Sequence, residues 1–221
     1  MRMGVERIGQ IVLSLRNFSR LDESEMKLAD VHEGIDSTLL ILQHRLKNDS
    51  PKERIQIVKQ YGELPKVYCC AGQLNQVFLN ILSNAIDVLE KQPQPRTIAI
   101  RTWVIRRQTA AGTYQNIEPD GELSELKPAA ALKNPGSRSS SQDKIVDCDR
   151  IAICIADSGP GMTENIRKQV FDPFFTTQPV GSGTGLGLSI SYQIVVEKHK
   201  GTLRCISAPG QGAELWIEIP L

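Results

Sequence analysis

The sequence predicts a two-layer α/β sandwich in which helices cover one face of a mixed sheet, preceded by a separate amphipathic helix. Helical spacing of apolar residues in four segments, and short apolar or alternating runs in six others, support this fold. The helical and strand segments are grouped rather than strictly alternating, which favours a mixed sheet over a parallel one.

Composition excludes several functional classes. The 221 residues include 26 Lys and Arg against 25 Asp and Glu, a net charge of +1, which is too balanced for a nucleic-acid partner. No run approaches the roughly 18 apolar residues of a membrane span, so a cytoplasmic location is expected, with membrane anchorage of a longer parent protein left open. The five cysteines form neither a C-x-x-C pair nor an even set, which disfavours a disulfide framework or a zinc site.

The helical segments are predicted from the spacing of their apolar residues. In the first, Val5, Ile8, Val12 and Leu15 form one stripe, which fits either a surface helix or a bundle helix. The other helices, in chain order, are predicted at residues 31–46, 71–89 and 188–199.

The strand segments are short apolar or alternating runs bounded by turn residues. They are predicted, in chain order, at residues 54–61, 66–69, 97–105, 150–157, 202–207 and 213–219. Between the third and fourth strands, residues 106–150 form a long polar stretch that is expected to be a solvated insertion.

Asn80, Asn84 and Asp87 are spaced at i, i+4 and i+7, so they project from one face of the third helix. A solvated helix face would more naturally carry Lys, Glu and Arg than two helix-disfavouring asparagines, which favours a functional groove. An asparagine oxygen can bind Mg²⁺ without adding charge, and this suits a metal that already rests on phosphate oxygens.

Two glycine-containing motifs follow strands or precede helices. Asp157, Gly159 and Gly161 come directly after a strand, where the carboxylate could accept a hydrogen bond from an adenine amino group, but an ordinary Asp-Gly turn fits equally well. The cluster at residues 181–188 leads into an apolar helix and is typical of a phosphate-binding loop. It is not a Walker loop, because no lysine follows its glycines.

These motifs, in this order, resemble the catalytic ATP-binding domain of the sensor histidine kinases of two-component systems. Those kinases share a superfamily with DNA gyrase, a heat-shock chaperone and the mismatch-repair ATPases. The resemblance covers residues 74–221. The N box, first glycine box, phenylalanine box, second glycine box and closing strand are matched in turn by "LNQVFLNILSNAIDVL", "DSGPGM", "FDPFFTT", "GTGLGLSI" and "GQGAELWIEIP".

The resemblance implies roles for individual residues. Asn84 would bind Mg²⁺, with Asn80 supporting it beside the phosphates and Asp87 on the same ATP-binding face. Asp157 would read the adenine, and Gly159 with Gly161 would let the backbone approach the base.

The resemblance also implies an ATP lid at residues 162–184, anchored by Phe171 and Phe174. After it, a phosphate loop would hold the triphosphate. Its members are Gly183, Thr184, Gly185, Leu186 and Gly187.

The expected organisation is the end of a dimerization helix at residues 1–22 and a catalytic ATP-binding domain at residues 23–221. The first helix is therefore interpreted as part of a bundle. The implied ligands are ATP and Mg²⁺, and the implied partners of a full-length kinase are a second copy of itself and the receiver domain of a response regulator.

One departure bears on the reaction. The hydrolases of the superfamily carry a water-activating glutamate where this sequence has Asn80, which favours phosphoryl transfer to a protein over hydrolysis. The alternative is a nucleotide-binding or dimerization module without transfer activity. Ala213 stands where relatives often carry a threonine whose hydroxyl helps a water bridge to the adenine, and alanine lacks that hydroxyl.

The histidines do not match a phosphoacceptor motif. His32 precedes Glu33, as in the acceptor box of such kinases, but no proline follows before Pro51, so a structural role is expected. His44 and His199 are expected to be surface or helix-capping residues. The sequence therefore predicts phosphate transfer to a histidine on a dimerization helix that is not part of this chain.

Overall fold

The computed structural model describes residues 25–46, 54–107, 149–178 and 184–221, and the backbone of residues 114–116. The predicted helix at residues 1–22 and most of the predicted insertion lie outside the described residues. Because of this, the predicted domain boundary stays a prediction.

A six-stranded mixed sheet forms one layer of the fold. Its main strands run in the order β2-β4-β6-β8-β7, and β5 pairs with the far end of β4. Only β2 and β4 are parallel, and the other neighbours are antiparallel. The strands are β2 (Gln56–Tyr61), β4 (Thr97–Arg107), β5 (Tyr114–Asn116), β6 (Arg150–Asp157), β7 (Thr202–Ser207) and β8 (Ala213–Pro220).

Helices pack on one face of this sheet, as the sequence predicts. The long helix α3 turns Phe78, Ile81 and Ile86 toward alternate residues of β4 and β6, such as Ile100 and Ile153, and all five are buried. Every second residue of a strand faces the same side, and residues three or four apart share one side of a helix, so the two apolar surfaces meet here. The helices are α1 (Val31–Ile41), α2 (Gln43–Leu46), α3 (Ala71–Leu89), α4 (Glu164–Gln169) and α5 (Gly187–Tyr192), with a π-helical segment (Gln193–Lys198) continuing α5.

Several boundaries differ from the sequence prediction. The helix predicted at residues 31–46 is interrupted at Leu42, where a turn separates α1 from α2. Residues 27–29, for which no strand is predicted, form β1 (Lys27–Ala29), which pairs antiparallel with β3 (Val67–Cys69) as a separate ribbon. A three-residue strand is too short to show the apolar-polar alternation from which strands are predicted. Only its pairing with β3 in the structure reveals β1.

The opposite face of the sheet carries a second, smaller cluster. The rings of Trp103 and Trp216 meet edge to face, with centroids 5.2 Å apart, beside the buried Ala152 and Cys154. Cys154 is therefore a small core residue of this cluster. The described cysteines are all buried and form no disulfide. No described helix is long and apolar enough to cross a membrane.

Candidate functional site

A cavity of about 560 Å³ opens between helix α3, the ends of β6 and β8, and residues 162–178, which we call the lid segment. This volume lies within the range of small-molecule sites. Most of the residues that the sequence predicts for the site line it together, although they are up to about a hundred positions apart. They are Asn80, Asn84, Asp87, Asp157, Gly161, Thr184, Gly185 and Gly187.

One end of the cavity is built around Asp157, the last residue of β6. Its carboxylate Oδ1 accepts a hydrogen bond of 2.8 Å from the backbone N–H of Gly159. Burial raises the pKa of this carboxyl, while backbone hydrogen bonds from Gly159 and Ala213 lower it, and burial prevails. Ala213 pairs with Asp157 in the β6–β8 ladder, so the register of the sheet fixes the position of the acid.

Close backbone packing explains the first glycine motif. A side chain at Gly159 would approach Oδ1 of Asp157 to 2.6 Å and Cγ1 of Val88 to 2.8 Å. Gly161 has a φ of +68° and packs against the backbone of Ala208 and Gly212. Gly161 lines the cavity, whereas Gly159 supports Asp157 from beside it.

Apolar side chains from three elements cover the walls between these polar groups. The sequence gives no sign that these residues line a cavity, because each looks like an ordinary core residue of its own helix or strand. They are Val88 on α3, Met162, Ile166 and Val170 in the lid segment, and Leu215 on β8. An aromatic base fits such a surface, because its faces are apolar and its edges are polar.

The two asparagines of α3 that the sequence predicts for the site, Asn80 and Asn84, differ in their contacts. Nδ2 of Asn80 donates to the carbonyl oxygen of Gly187 at 2.9 Å and to Oγ of Ser191 at 3.2 Å, so it joins α3 to the start of α5. Asn84 lines the cavity, and among the described residues its side chain has no hydrogen-bond partner. Asn84 is thus the asparagine with a free amide for a ligand.

Asp87, the third residue of the predicted polar face, is paired on both oxygens. Arg45 donates to Oδ1 at 2.6 Å, and Gln178 donates to Oδ2 at 3.0 Å. Among the described residues no group of three or more His, Cys, Asp or Glu side chains could hold a metal ion. The available donor set, a single neutral amide, fits a Mg²⁺ ion that takes most of its ligands from phosphate oxygens and water.

The second glycine motif lies against the lid segment. Gly185 has a φ of +65°, and a side chain there would come within 2.5 Å of the carbonyl carbon of Phe174. Gly187 is less constrained, since a Cβ would lie 3.6 Å from the nearest atoms of Asn80. Leu186 caps α5 without lining the cavity, and Gly183 lies outside the described residues.

The two phenylalanines predicted to anchor the lid behave differently. Phe171 packs on the main core and against the ring of Tyr192, with centroids 5.6 Å apart. Phe174 is 75% exposed with a φ of 65°, so the prediction that its ring anchors the lid is wrong. The neighbouring Phe175 lines the cavity instead. Adjacent phenylalanines in a loop carry no periodicity that would tell them apart.

The described histidines are occupied by structural contacts. Nε2 of His32 lies 2.8 Å from Oγ1 of Thr102, and its ring stacks on Tyr61 with centroids 4.2 Å apart. His199 is buried, and its Nε2 accepts the N–H of Cys70 at 3.0 Å while Nδ1 lies 2.8 Å from the carbonyl oxygen of Ile194. His199 therefore caps the end of the π-helical segment, and it also joins that segment to the start of α3.

Known proteins are similar to this chain in both sequence and fold. Residues 129–221 match the family described as histidine kinase-, DNA gyrase B- and HSP90-like ATPase. The chain is 28% identical to the signal transduction histidine-protein kinase AtoS of Escherichia coli (strain K12) over 218 residues, which cover 98% of this chain and 28% of that protein. The chain contains a histidine kinase-type ATP-binding domain.

Other relatives of this ATP-binding domain are also kinases. Sporulation kinase E of Bacillus subtilis (strain 168) is 31% identical over 72% of this chain and 15% of its own length. The catalytic domain of the histidine kinase ThkA has the same fold, with a TM-score of 0.58 at 20% identity over 89% of this chain and 95% of that one. The chain spans less than a third of the length of these curated relatives.

Proposed function

We propose that this domain binds Mg²⁺-ATP in the cavity beside α3 and donates the γ-phosphate to a histidine of a protein helix. The observation that carries the proposal is that one cavity combines a half-buried carboxylate, a free asparagine amide and a glycine loop at a helix start. These are an acceptor for the adenine amino group, a neutral metal ligand and a set of phosphate donors.

Different residues of the cavity would contact the base, the phosphates and the metal ion. Asp157 would accept the adenine amino group, while the apolar wall that includes Val88 and Met162 would cover the faces of the base. Backbone N–H groups of Gly185 and Gly187, at the start of a helical segment, could donate to phosphate oxygens, whereas that of Leu186 already donates to Oγ1 of Thr184 at 3.3 Å. The Asn84 amide oxygen would hold Mg²⁺, which when bound neutralises charge on the phosphates.

In the transfer step, a histidine nitrogen forms a bond to the γ-phosphorus while the bond to the β-γ bridging oxygen breaks and ADP leaves. Nothing on the polar face of α3 is arranged to activate water instead. Asn80 is no base, and the Asp87 carboxylate is occupied by Arg45 and Gln178. Transfer to a protein nucleophile is therefore the better reading than hydrolysis.

The accepting histidine is a different residue from His32, His44 and His199. Both ring nitrogens of His199 are engaged, and His32 has Nε2 against Thr102 and its ring stacked on Tyr61. Nδ1 of His44 lies 3.2 Å from the carbonyl oxygen of Ile41. We place the acceptor on a dimerization helix of the full kinase, to which residues 1–22 would belong, with residues 23–221 as the catalytic domain.

The partners follow from the same proposal. A full-length kinase would be a homodimer in the cytoplasm, either free or anchored to a membrane. It would pass the phosphate to the receiver domain of a response regulator. One similar structure, the histidine kinase ThkA in complex with the response regulator protein TrrA, aligns with a TM-score of 0.54 at 19% identity over 99% of this chain and 48% of that one.

The test is transfer in trans. The chain would be mixed with γ-labelled ATP and a separately produced helix pair that carries the acceptor histidine of such a kinase. Acid-labile label on the helix pair is expected, with none on the chain incubated alone. ATP binding without labelled histidine would instead support a nucleotide-binding module, and labelled His32 would overturn the assignment of the acceptor.

A further inference from the structure

Arg45 lies in the short helix α2, outside every motif of the ATP site. Its Nη2 donates to Oδ1 of Asp87 at 2.6 Å and to Oε2 of Glu90 at 3.0 Å, and its Nε donates to Oε1 of Glu90 at 3.3 Å. Asp87 lies in the last turn of α3, and Glu90 is the residue that caps its C-terminal end. One guanidinium thus binds two carboxylates at the end of the helix that carries Asn84.

The other oxygen of Asp87 faces the lid segment. Nε2 of Gln178 donates to Oδ2 at 3.0 Å, and both residues line the cavity. We propose that Arg45 is a positioning residue, which holds Asp87 so that its second oxygen latches the lid segment to α3 through Gln178. We call the set Arg45, Asp87 and Gln178 the lid latch.

The chemistry of the three groups suits this division. A guanidinium stays charged at all accessible pH values and presents a rigid planar fork, so it fixes a carboxylate better than an ammonium group does. With Oδ1 held by Arg45, the Asp87 side chain can keep Oδ2 aimed at the lid without losing further rotamer freedom. An ionised acceptor also makes a stronger hydrogen bond with the Gln178 amide than a neutral one would.

The position of Gln178 connects the latch to the cavity. The backbone N–H of Gln178 donates to Oγ1 of Thr176 at 3.1 Å, which ties the glutamine to the turn that precedes it. Phe175, Thr176 and Thr177 all line the cavity. Holding Gln178 against Asp87 therefore holds one wall of the nucleotide site in place before any ligand arrives.

The latch revises the role expected for Asp87. Its carboxylate is already paired on both oxygens, and it would place a negative charge near the phosphates if it were free. Arg45 offsets that charge. Asp87 thus acts on the lid, and through the lid on the nucleotide.

The test is hydrogen exchange of lid amides, residues 164–178, in the 221-residue chain without nucleotide. Gln178→Ala is expected to accelerate their exchange about three- to tenfold, because it removes one hydrogen bond to a charged group. The matched control is Gln169→Ala, since this lid glutamine donates only to the carbonyl oxygen of Asn165 in its own helix. Equal exchange in the two variants would overturn the latch.

A second pair of variants isolates Arg45. Arg45→Ala is expected to accelerate lid exchange as Gln178→Ala does, whereas Glu90→Ala, which removes the other partner of Arg45, is expected to leave it unchanged. Arg45→Lys should restore part of the protection, since it keeps the charge but not the fork. The double variant Arg45→Ala/Gln178→Ala should exchange no faster than Gln178→Ala alone, because both changes break one latch. Additive acceleration, or equal effects of Arg45→Ala and Glu90→Ala, would contradict the proposal.

The consequence for ATP rests on the proposed function. Arg45→Ala and Gln178→Ala should each weaken ATP binding by a factor similar to their effect on exchange. If the unaltered chain does not bind ATP, the proposed function fails, and the exchange measurements still decide the latch. If it binds ATP and the latch variants bind it equally well, the latch does not serve the nucleotide site.

Discussion

The two ends of the cavity are built in different ways. At the Asp157 end, the carboxylate is half-buried at a strand terminus, held by backbone hydrogen bonds and fixed by the register of β6 against β8. At the Asn84 end, the amide has no partner among the described residues, and the glycine loop meets the lid segment through a close contact at Gly185. The base end is thus preorganised, whereas the phosphate end is completed by its ligand.

The difference matters for affinity and for control. A preorganised acceptor loses little freedom on binding, so the base should supply a constant part of the affinity. Because the phosphate end is completed only by the metal and the triphosphate, it can distinguish ATP from ADP.

Removal of the carboxylate at the base end should have the largest effect. Asp157→Ala is expected to weaken binding of ATP, ADP and adenosine alike by about tenfold to a hundredfold, because it deletes a charged, half-buried acceptor. Titration calorimetry with the three ligands would measure this. Asp36→Ala, a change at an exposed carboxylate that pairs with Lys59 and Tyr61, is the control and should bind normally.

Removal of the amide at the phosphate end should act only through the metal. Asn84→Ala is expected to weaken Mg²⁺-ATP binding about tenfold and to leave adenosine binding unchanged. The same titrations with and without Mg²⁺ would show this. If the variant weakened adenosine binding as well, the two ends could not be separate.

The glycine loop allows a matched pair of substitutions. Gly185→Ala should lower the free energy of unfolding by about 1–2 kcal/mol, because the position has a φ of +65° and no room beside Phe174. Gly187→Ala should be neutral or slightly stabilising, since its Cβ would lie 3.6 Å from Asn80 at a helix start. Thermal unfolding of the two variants would compare them, and equal losses would argue against the loop geometry.

The base end should also respond to pH. Burial raises the pKa of Asp157 above its ordinary value, so its carboxylate becomes protonated at a higher pH than that of an exposed aspartate. Affinity for adenosine should therefore fall as pH is lowered through that raised pKa, because a protonated acid is a poorer acceptor. Asp157→Asn should flatten the profile, and an unchanged slope in that variant would assign the titration to another group.

The raised pKa of Asp157 affects protein stability in the opposite direction: stability falls, whereas adenosine affinity rises, as the carboxyl loses its proton. A carboxyl whose pKa is raised on folding favours the folded state below its unfolded pKa, and this contribution is lost as pH rises through the folded value. Asp157→Asn should therefore leave the ligand-free protein at least as stable as the original at neutral pH. The charge of the half-buried Asp157 thus favours ligand binding but lowers the stability of the ligand-free protein.

Periodic segments and motifs with a fixed order could be predicted from the sequence. Helix Ala71–Leu89 and strand Arg150–Asp157 lie where their apolar patterns place them. The residues grouped around Asn84 and Asp157 do meet in one cavity. Long periodic elements and motif order are both encoded locally, so a single sequence reveals them.

Features that depend on contacts between distant segments could not be predicted. The exposed ring of Phe174 and the inward position of Phe175 follow from how the lid segment packs, and no local pattern separates the two. Arg45 gave no signal, because its partners Asp87 and Glu90 are more than forty residues away. His199 was expected to be a surface or capping residue, and only the start of α3 at Cys70 explains its burial.

A structure of this chain with Mg²⁺ and a non-hydrolysable ATP analogue tests the central contrast most directly. The expected result is an adenine amino group within hydrogen-bond distance of the Asp157 carboxylate, with Asp157 unmoved, and a Mg²⁺ ion on the Asn84 oxygen with the phosphates at residues 185–187. A nucleotide bound in the opposite direction, or a base end that rearranges as much as the phosphate end, would contradict the account.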